Sequence, residues 1–453
     1  MNKIKNSALL TDLYELTMAA SYLEHGMNET AVFGLFVRQY PPNRRYFVFC
    51  GLKEVLDYLA GLQFTKDDLE YLESTDFFKP EFISYLENFS FHGDMHAMPE
   101  GTVFFEEEPI LEVTAPLIEA QVIETFLINS INLQTMIATK ASRCVHAAGQ
   151  RSLVDFSFRR TQGIDASIKV AKASYIAGFL GTSNVLAGKQ LGIPVYGTMA
   201  HSFVSSFDKE INAFRAFTQT FPENSILLVD TYDSLSGILK AAQVGKEMAG
   251  RGEHLKGIRL DSGDMAGISR KARRILDGNG LKNSLIFASG AFDEYKIQKI
   301  LSQKAAIDSF GVGTKMGVSS DAPYLDMAYK IVKYNGESVV KLSPEKTSLT
   351  SDKQVFRFLS SEKLYDHDVI ACREEEPDGG IPLLAPVLTA GKIIYDSPPL
   401  SEIRNHFKEN FSRLPEKYKT INKEGPLYPV KISEKLRKLQ KKTIDKYKKK
   451  EIL

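Results

Sequence analysis

From residue 152 to about residue 316, short apolar runs alternate with helical segments. That alternation confines the region to repeated β-α units and hence to a parallel α/β sheet or barrel. The runs lie at 152–156, 194–196, 226–229, 257–260, 285–288 and 309–312. Strands this short, separated by helical lengths of chain, cannot pair as tight hairpins; a crossover helix makes neighbours parallel. Six units fall short of a full eight-unit barrel. The expectation is therefore an α/β region, an irregular and incomplete barrel over residues 151–316.

The flanks read differently. Segments 31–38 and 45–50 are apolar and rich in Val and Phe, with the breaker Pro41-Pro42-Asn43 between them. Short helical patterns fill 53–88, strands are expected at 94–98, 102–105 and 110–114, and 116–148 reads as one helix or two. Strand patterns resume after Met316, at 329–334, 339–342, 355–359, 369–371 and 392–395. These can return to the sheet of the first third. The expected organisation is a mixed α+β domain over residues 1–150 with strands contributed by 317–400, interrupted by the barrel, and a basic helical tail over 401–453. Residues 431–453 hold ten Lys/Arg against three Asp/Glu, which suits a solvated helix better than a nucleic-acid arm.

A chain of 453 residues is long enough for two or more cores, and 43% hydrophobic with 25% charged residues is the balance of a folded globular protein. The formal net charge of +1 gives no global pull toward nucleic acid. Cys50, Cys144 and Cys372 are odd in number and far apart, without zinc-ligand or redox spacing, so a reducing cytoplasm is expected. Residues 1–10 lack a signal-peptide pattern, and no apolar run is long enough to span a bilayer.

Polar and glycine-rich residues follow the apolar runs of the middle region. They are Arg159-Arg160, Gly197 through Ser202 with His201, Asp230, Asp261-Ser262-Gly263-Asp264, Ser289-Gly290 and Gly313-Thr314-Lys315. In parallel α/β folds the strand C-termini share one mouth, where ligands bind. Arginines, acids, a histidine and glycine turns suit a phosphate-rich, metal-bound ligand. Each motif alone has a plainer reading. Gly311-x-Gly313 with Gly317 serves a tight turn as readily as a phosphate, and its third glycine falls one residue late for dinucleotide binding. Asp261 through Asp264, taken alone, reads more readily as a helix cap with acids in the first turn. Arg159-Arg160 also reads as a solvated pair, His201 as a structural histidine and Tyr14 as a half-buried aromatic.

In order along the chain, Leu10-Thr-Asp-Leu-Tyr-Glu-Leu-Thr-Met18, Arg159-Arg-Thr-Gln-Gly163, Gly178 through Gly188, Gly192 through Ser202, Ile258-Arg-Leu-Asp-Ser-Gly-Asp264 and Phe310-Gly-Val-Gly-Thr314 resemble the nicotinate phosphoribosyltransferase family. The resemblance runs from about residue 8 to about residue 345. It implies an α/β barrel joined to a mixed domain, a cytoplasmic homodimer with shared active sites, and Mg²⁺ and ATP beside nicotinate and phosphoribosyl pyrophosphate. The implied products are nicotinate mononucleotide, diphosphate, ADP and phosphate, in the first step of NAD synthesis from nicotinate.

By the same resemblance, His201 matches the histidine that ATP phosphorylates. Tyr14 and Phe156 match the aromatic pair that sandwiches the pyridine ring, Tyr14 reaching across a dimer interface. Arg259 and Thr198 match the carboxylate site. Arg159, Ser289, Gly290, Gly313 and Thr314 match the phosphoribosyl and phosphate positions. Asp261 and Asp230 are expected as partners of ribose hydroxyls or Mg²⁺. Ser183 stands where the related nicotinamide-using enzymes carry an aspartate, or else only caps the next helix. The rival readings are a nicotinamide-using enzyme and, from another class, a dinucleotide-binding oxidoreductase or a non-catalytic barrel. The absent G-x-G-x-x-G argues against the oxidoreductase.

Overall fold

The computed structural model describes residues 7–343, 348–422 and 425–451. Its chain divides into two compact units, one of residues 1–136 with 324–453 and one of residues 137–323. No helix among the described residues is long and apolar enough to cross a membrane.

In the first unit, strand Thr30–Val37 is buried along most of its length and pairs antiparallel on both sides, with Met327–Tyr334 and with Leu111–Pro116. Strands Asp94–Ala97 and Ala385–Thr389 continue the same sheet of seven. A central strand covered on both faces must be apolar throughout, and TAVFGLFV meets that demand. A four-stranded sheet is built on the antiparallel pair Lys353–Leu359 and Tyr365–Cys372. Charges buried here are paired: Glu112 meets Lys353 at 2.9 Å and Arg373 at 2.5 Å, and Arg357 meets Asp368 at 2.6 Å. Such pairs tolerate burial because each charge has a partner, and losing one member would strand the other.

Several expected elements differ in detail. The segment 116–148 forms two helices, Leu117–Val122 and Glu124–Ala148. Only Phe47–Val48 of the run 45–50 forms a strand. In place of a strand at 339–342, the strand is Glu337–Ser338, and residues 344–347 lie outside the described residues.

The second unit holds a six-stranded parallel sheet. Its order is Gly181–Thr182, Ser152–Asp155, Ser309–Val312, Leu285–Ala288, Gly257–Leu260 and Ile226–Leu228. Among the described residues no pairing joins the two edge strands. Five of these strands fall on the expected runs. The run 194–196 does not make one: Pro194 has no N–H to give a ladder, and only Val195 forms an isolated bridge, to Thr182. Its expected place is taken by Gly181–Thr182, two residues with no apolar signature. Gly181 is required there because a Cβ would lie 2.2 Å from the Pro194 carbonyl oxygen. Helices Ile164–Ile176, Ser234–Ala249, Met265–Gly278 and Glu294–Ser302 link the strands. All six strands run one way, so the segments after them gather along one edge of the sheet.

Candidate active site

Arg259 is the hub of that edge. It sits on strand Gly257–Leu260, whose neighbours Ile258 and Leu260 are buried, so the alternation of the strand turns its side chain to the opposite face. The side chain is 16% exposed and every guanidinium nitrogen is engaged. Nε donates to Ser289 Oγ at 2.8 Å, and Nη1 to Thr198 Oγ1 at 3.1 Å and the Met199 carbonyl at 3.3 Å. Nη2 donates to Asp261 Oδ1 at 3.1 Å. The Phe156 ring centroid lies 5.5 Å from the guanidinium carbon. An aromatic face and an arginine fork therefore stand side by side.

Asp261 also accepts from the Ser289 hydroxyl. Burial pushes the Asp261 carboxyl up, but the Ser289 hydroxyl, the Arg259 guanidinium and the nearby His201 outweigh it and hold the group below the usual range. Asp230 anchors the loop that carries Asp261. Its Oδ2 accepts from Asp261 N and Ser262 N, both at 2.8 Å, and from Ser262 Oγ at 2.9 Å. Its Oδ1 is buried with no hydrogen-bond partner among the described residues. Asp264, three residues on, caps the following helix by accepting from Gly267 N. The motif at 261–264 thus serves both as a cap and as part of the polar cluster.

His201 opens a short helix, His201–Ser205, and its side chain is 46% exposed. Nδ1 lies 3.1 Å from Thr231 Oγ1, and Nε2 lies 3.9 Å from Asp261 Oδ2. With Nδ1 engaged by the threonine, Nε2 faces the Asp261 carboxylate.

Two glycines let the backbone close in around this cluster. Gly290 has φ of 112°, and a Cβ there would lie 2.1 Å from the Asp261 carbonyl oxygen. A Cβ on Gly311 would lie 2.6 Å from the Phe156 ring, so that glycine makes room for the aromatic face. Gly313 and Thr314 follow the neighbouring strand, and Thr314 starts a single helical turn. Ser183 donates its backbone N–H to Asp155 O at 2.8 Å. The cap of the next helix is Asn184, whose side chain accepts from Ala187 N, so Ser183 is not the cap.

The structure does not gather every expected residue. Arg159 lies in the turn Phe158–Arg160 and is exposed, outside the Arg259 network. Tyr14 belongs to the other unit, on helix Leu13–Glu24, where it is 49% exposed. Sequence reasoning missed Thr231 and Asp155. Buried Asp155 accepts from Ser157 N, Ser157 Oγ and Thr182 Oγ1, tying the Phe156 turn to the edge strand. An acid closing an apolar run was the available signal. Among the described residues no three His, Cys, Asp or Glu side chains are grouped to hold a metal by themselves.

Comparisons with known proteins agree along most of the chain. Residues 9–132 match the nicotinate phosphoribosyltransferase (NAPRTase) N-terminal domain, residues 151–365 the NAPRTase family and residues 380–440 its C-terminal domain. Nicotinate phosphoribosyltransferase pncB2 of Mycobacterium tuberculosis is 44% identical over 430 residues, covering 95% of this chain and 92% of that protein. The Bacillus subtilis nicotinate phosphoribosyltransferase is 38% identical, covering 94% of this chain and 93% of its own. The crystal structure of human nicotinic acid phosphoribosyltransferase superposes with a TM-score of 0.85 at 26% identity, covering 95% of this chain and 99% of that one. This chain belongs to the nicotinate phosphoribosyltransferase family.

Proposed function

We propose that this enzyme joins nicotinate to phosphoribosyl pyrophosphate and couples the reaction to ATP through a phosphohistidine at His201. The observation that carries the reading is Arg259 held beside the Phe156 ring. A flat aromatic acid needs a ring face and a cation together, and this pair offers both. The pyridine nitrogen attacks ribose C1, the C1–O bond breaks, and its electron pair leaves with diphosphate. The protein's part is to position the ring and neutralise the leaving group. Ser289, Gly290, Gly313, Thr314 and Arg159 serve the phosphoribosyl group, with Tyr14 as the second ring partner, supplied across a homodimer interface. The six-stranded sheet is read as an incomplete barrel, and the enzyme as cytoplasmic.

In the coupling half-reaction, His201 Nε2 attacks the γ-phosphorus of ATP and ADP leaves. Water later takes the phosphoryl group as phosphate. Asp230, whose buried Oδ1 lacks a partner among the described residues, would hold Mg²⁺ through a carboxylate oxygen of the kind that ion takes. Once bound, it would neutralise phosphate charge. Incubation with nicotinate, phosphoribosyl pyrophosphate, ATP and Mg²⁺ should give nicotinate mononucleotide and ADP. Equal use of nicotinamide, or no nucleotide with either base, would overturn the reading.

Ser183 supports the preference for acid over amide. It leaves the capping to Asn184, so its hydroxyl is available to donate to a carboxylate. In Ser183→Asp two carboxylates would face each other, at a cost of about 1–4 kcal/mol for a separation of ~4 Å. The Michaelis constant for nicotinate should rise by about 5-fold to about 1,000-fold. Unchanged nicotinate kinetics in the variant would remove Ser183 from the specificity argument.

A further inference from the structure

Two lysines outside the residues assigned above converge on the loop that carries Ser289 and Gly290. Lys296 stands in the first turn of helix Glu294–Ser302, and its Nζ donates to the Gly290 carbonyl at 2.5 Å. The same ammonium lies 4.6 Å from the Phe292 ring centroid. Lys315 follows Thr314, and its Nζ meets Asp293 Oδ2 at 2.6 Å. Asp293 in turn accepts the backbone N–H of Lys296 through Oδ1 at 2.8 Å. The two lysines come from the segments after Leu285–Ala288 and Ser309–Val312, which are adjacent parallel strands.

Their charges act on one another. Burial lowers the Lys296 pKa, and Lys315 lowers it further, while Asp293 and Asp261 oppose both. Asp293 is shared, since it pairs with Lys315 and caps the helix. Asp261 is already held by Arg259 and Ser289. The cluster therefore carries more positive charge than its two carboxylates answer. An ammonium has three N–H donors, and the described residues engage one on each lysine, so about two on each remain for a ligand or water.

We propose that Lys296 and Lys315 together bind a phosphoryl oxyanion of the phosphoribosyl donor, with Gly290 and Thr314 beside it. This rests on the reading of the site as a phosphoribosyl-transfer centre. Phosphoryl groups carry up to two charges and three acceptor oxygens, which match paired ammonium groups better than a single carboxylate does. The shared chemistry covers the ribose 5-phosphate group and the diphosphate leaving group. The alternative is mechanical: Lys296 merely staples the turn in which Gly290 and Ala291 have φ of 112° and 51°.

Titration calorimetry with inorganic diphosphate and, separately, ribose 5-phosphate tests the site without turnover. Wild-type enzyme should bind at least one of them. Lys296→Met and Lys315→Met should each weaken that binding about tenfold, as loss of a charge-assisted hydrogen bond does. The ligand affected tells which phosphoryl group sits there. Lys296→Arg should stay within about threefold of wild type, since the charge is kept. In steady state the Michaelis constant for phosphoribosyl pyrophosphate should rise about tenfold in both methionine variants, with that for nicotinate within about twofold of wild type.

A staple would instead lower thermal stability and raise both constants together, and that pattern would overturn the proposal. So would anion affinities unchanged by either methionine variant, or no binding of either anion by the wild type. If Lys296→Met does not fold, Lys315→Met decides, because that side chain is 42% exposed. Lysine-dependent anion binding in an enzyme that makes no nicotinate nucleotide would leave the site standing and sink only the activity reading.

Discussion

Replacing Arg259 with methionine should cut kcat/KM for nicotinate by about 30-fold to about 5,000-fold, the range for truncating one partner of a buried, hydrogen-bonded charge pair at about 2–5 kcal/mol. The loss has two sources. The carboxylate of the substrate loses its cation, and Asp261 loses the guanidinium that holds it ionised. The Asp261 pKa should then rise, because burial remains while one of the two main opposing interactions is gone. Arg259→Lys should recover little. A single ammonium cannot reach Ser289 Oγ, Thr198 Oγ1 and Asp261 Oδ1 from one stem as the planar fork does. Steady-state kinetics with nicotinate varied at saturating phosphoribosyl pyrophosphate make the measurement. A methionine variant within about threefold of wild type would remove Arg259 from the carboxylate site.

Much of the parallel sheet was legible because its strands are apolar runs bounded by polar turns. Gly257–Leu260, Leu285–Ala288 and Ser309–Val312 are all strands at the expected positions. What failed was the reading of elements whose pairing depends on backbone rather than side chain. Gly181–Thr182 carries no apolar signal and joins the sheet by main-chain bonds beside Val154–Asp155. The run 194–196 looks like a strand, yet a proline at its head leaves only one bridge. Pattern alone cannot separate those cases, since both are decided by which partner strand lies alongside.

The site was legible to the extent that its residues come directly after strands. Asp230, Asp261 and Ser289 occupy such positions, and Asp261 is hydrogen-bonded to both of the others. Thr198 and His201 instead follow the failed run at 194–196: Thr198 reaches Arg259 from the segment before helix His201–Ser205, and His201 faces Asp261 from the start of that helix. Lys296 was invisible as a site candidate because it lies inside a helical turn, where a lysine ordinarily signals a solvated face, and Lys315 stood out only as the end of the run Gly313-Thr314-Lys315. Only the fold shows that both turns start at the same mouth. Asp155 was hidden for the opposite reason: it ends a strand, and its role is seen only when the Thr182 hydroxyl reaches it from the neighbouring strand.

His201→Ala should abolish phosphoenzyme formation and ATP hydrolysis while leaving slow, ATP-independent transfer. The phosphate acceptor is removed, but none of the hydrogen bonds around Arg259 runs through the imidazole, whose contacts are Thr231 and, at 3.9 Å, Asp261. The fold should hardly notice, with a stability change within about 0.5 kcal/mol, because the side chain is half exposed and makes one neutral hydrogen bond. Coupling gives the sharper test. In the wild type, ATP should drive the ratio of nucleotide to free base beyond the value that phosphoribosyl pyrophosphate and diphosphate alone set. In the alanine variant that ratio should be the same with or without ATP, since an effector with no differential interaction along the reaction shifts nothing. Label from γ-labelled ATP should be acid-labile and base-stable in the wild type, as a phosphorylated imidazole requires, and absent from the variant. Undiminished acid-labile label in the variant would place the acceptor on another residue, and Nε2 of His201 would then be a bystander held beside Asp261 by the Thr231 hydroxyl.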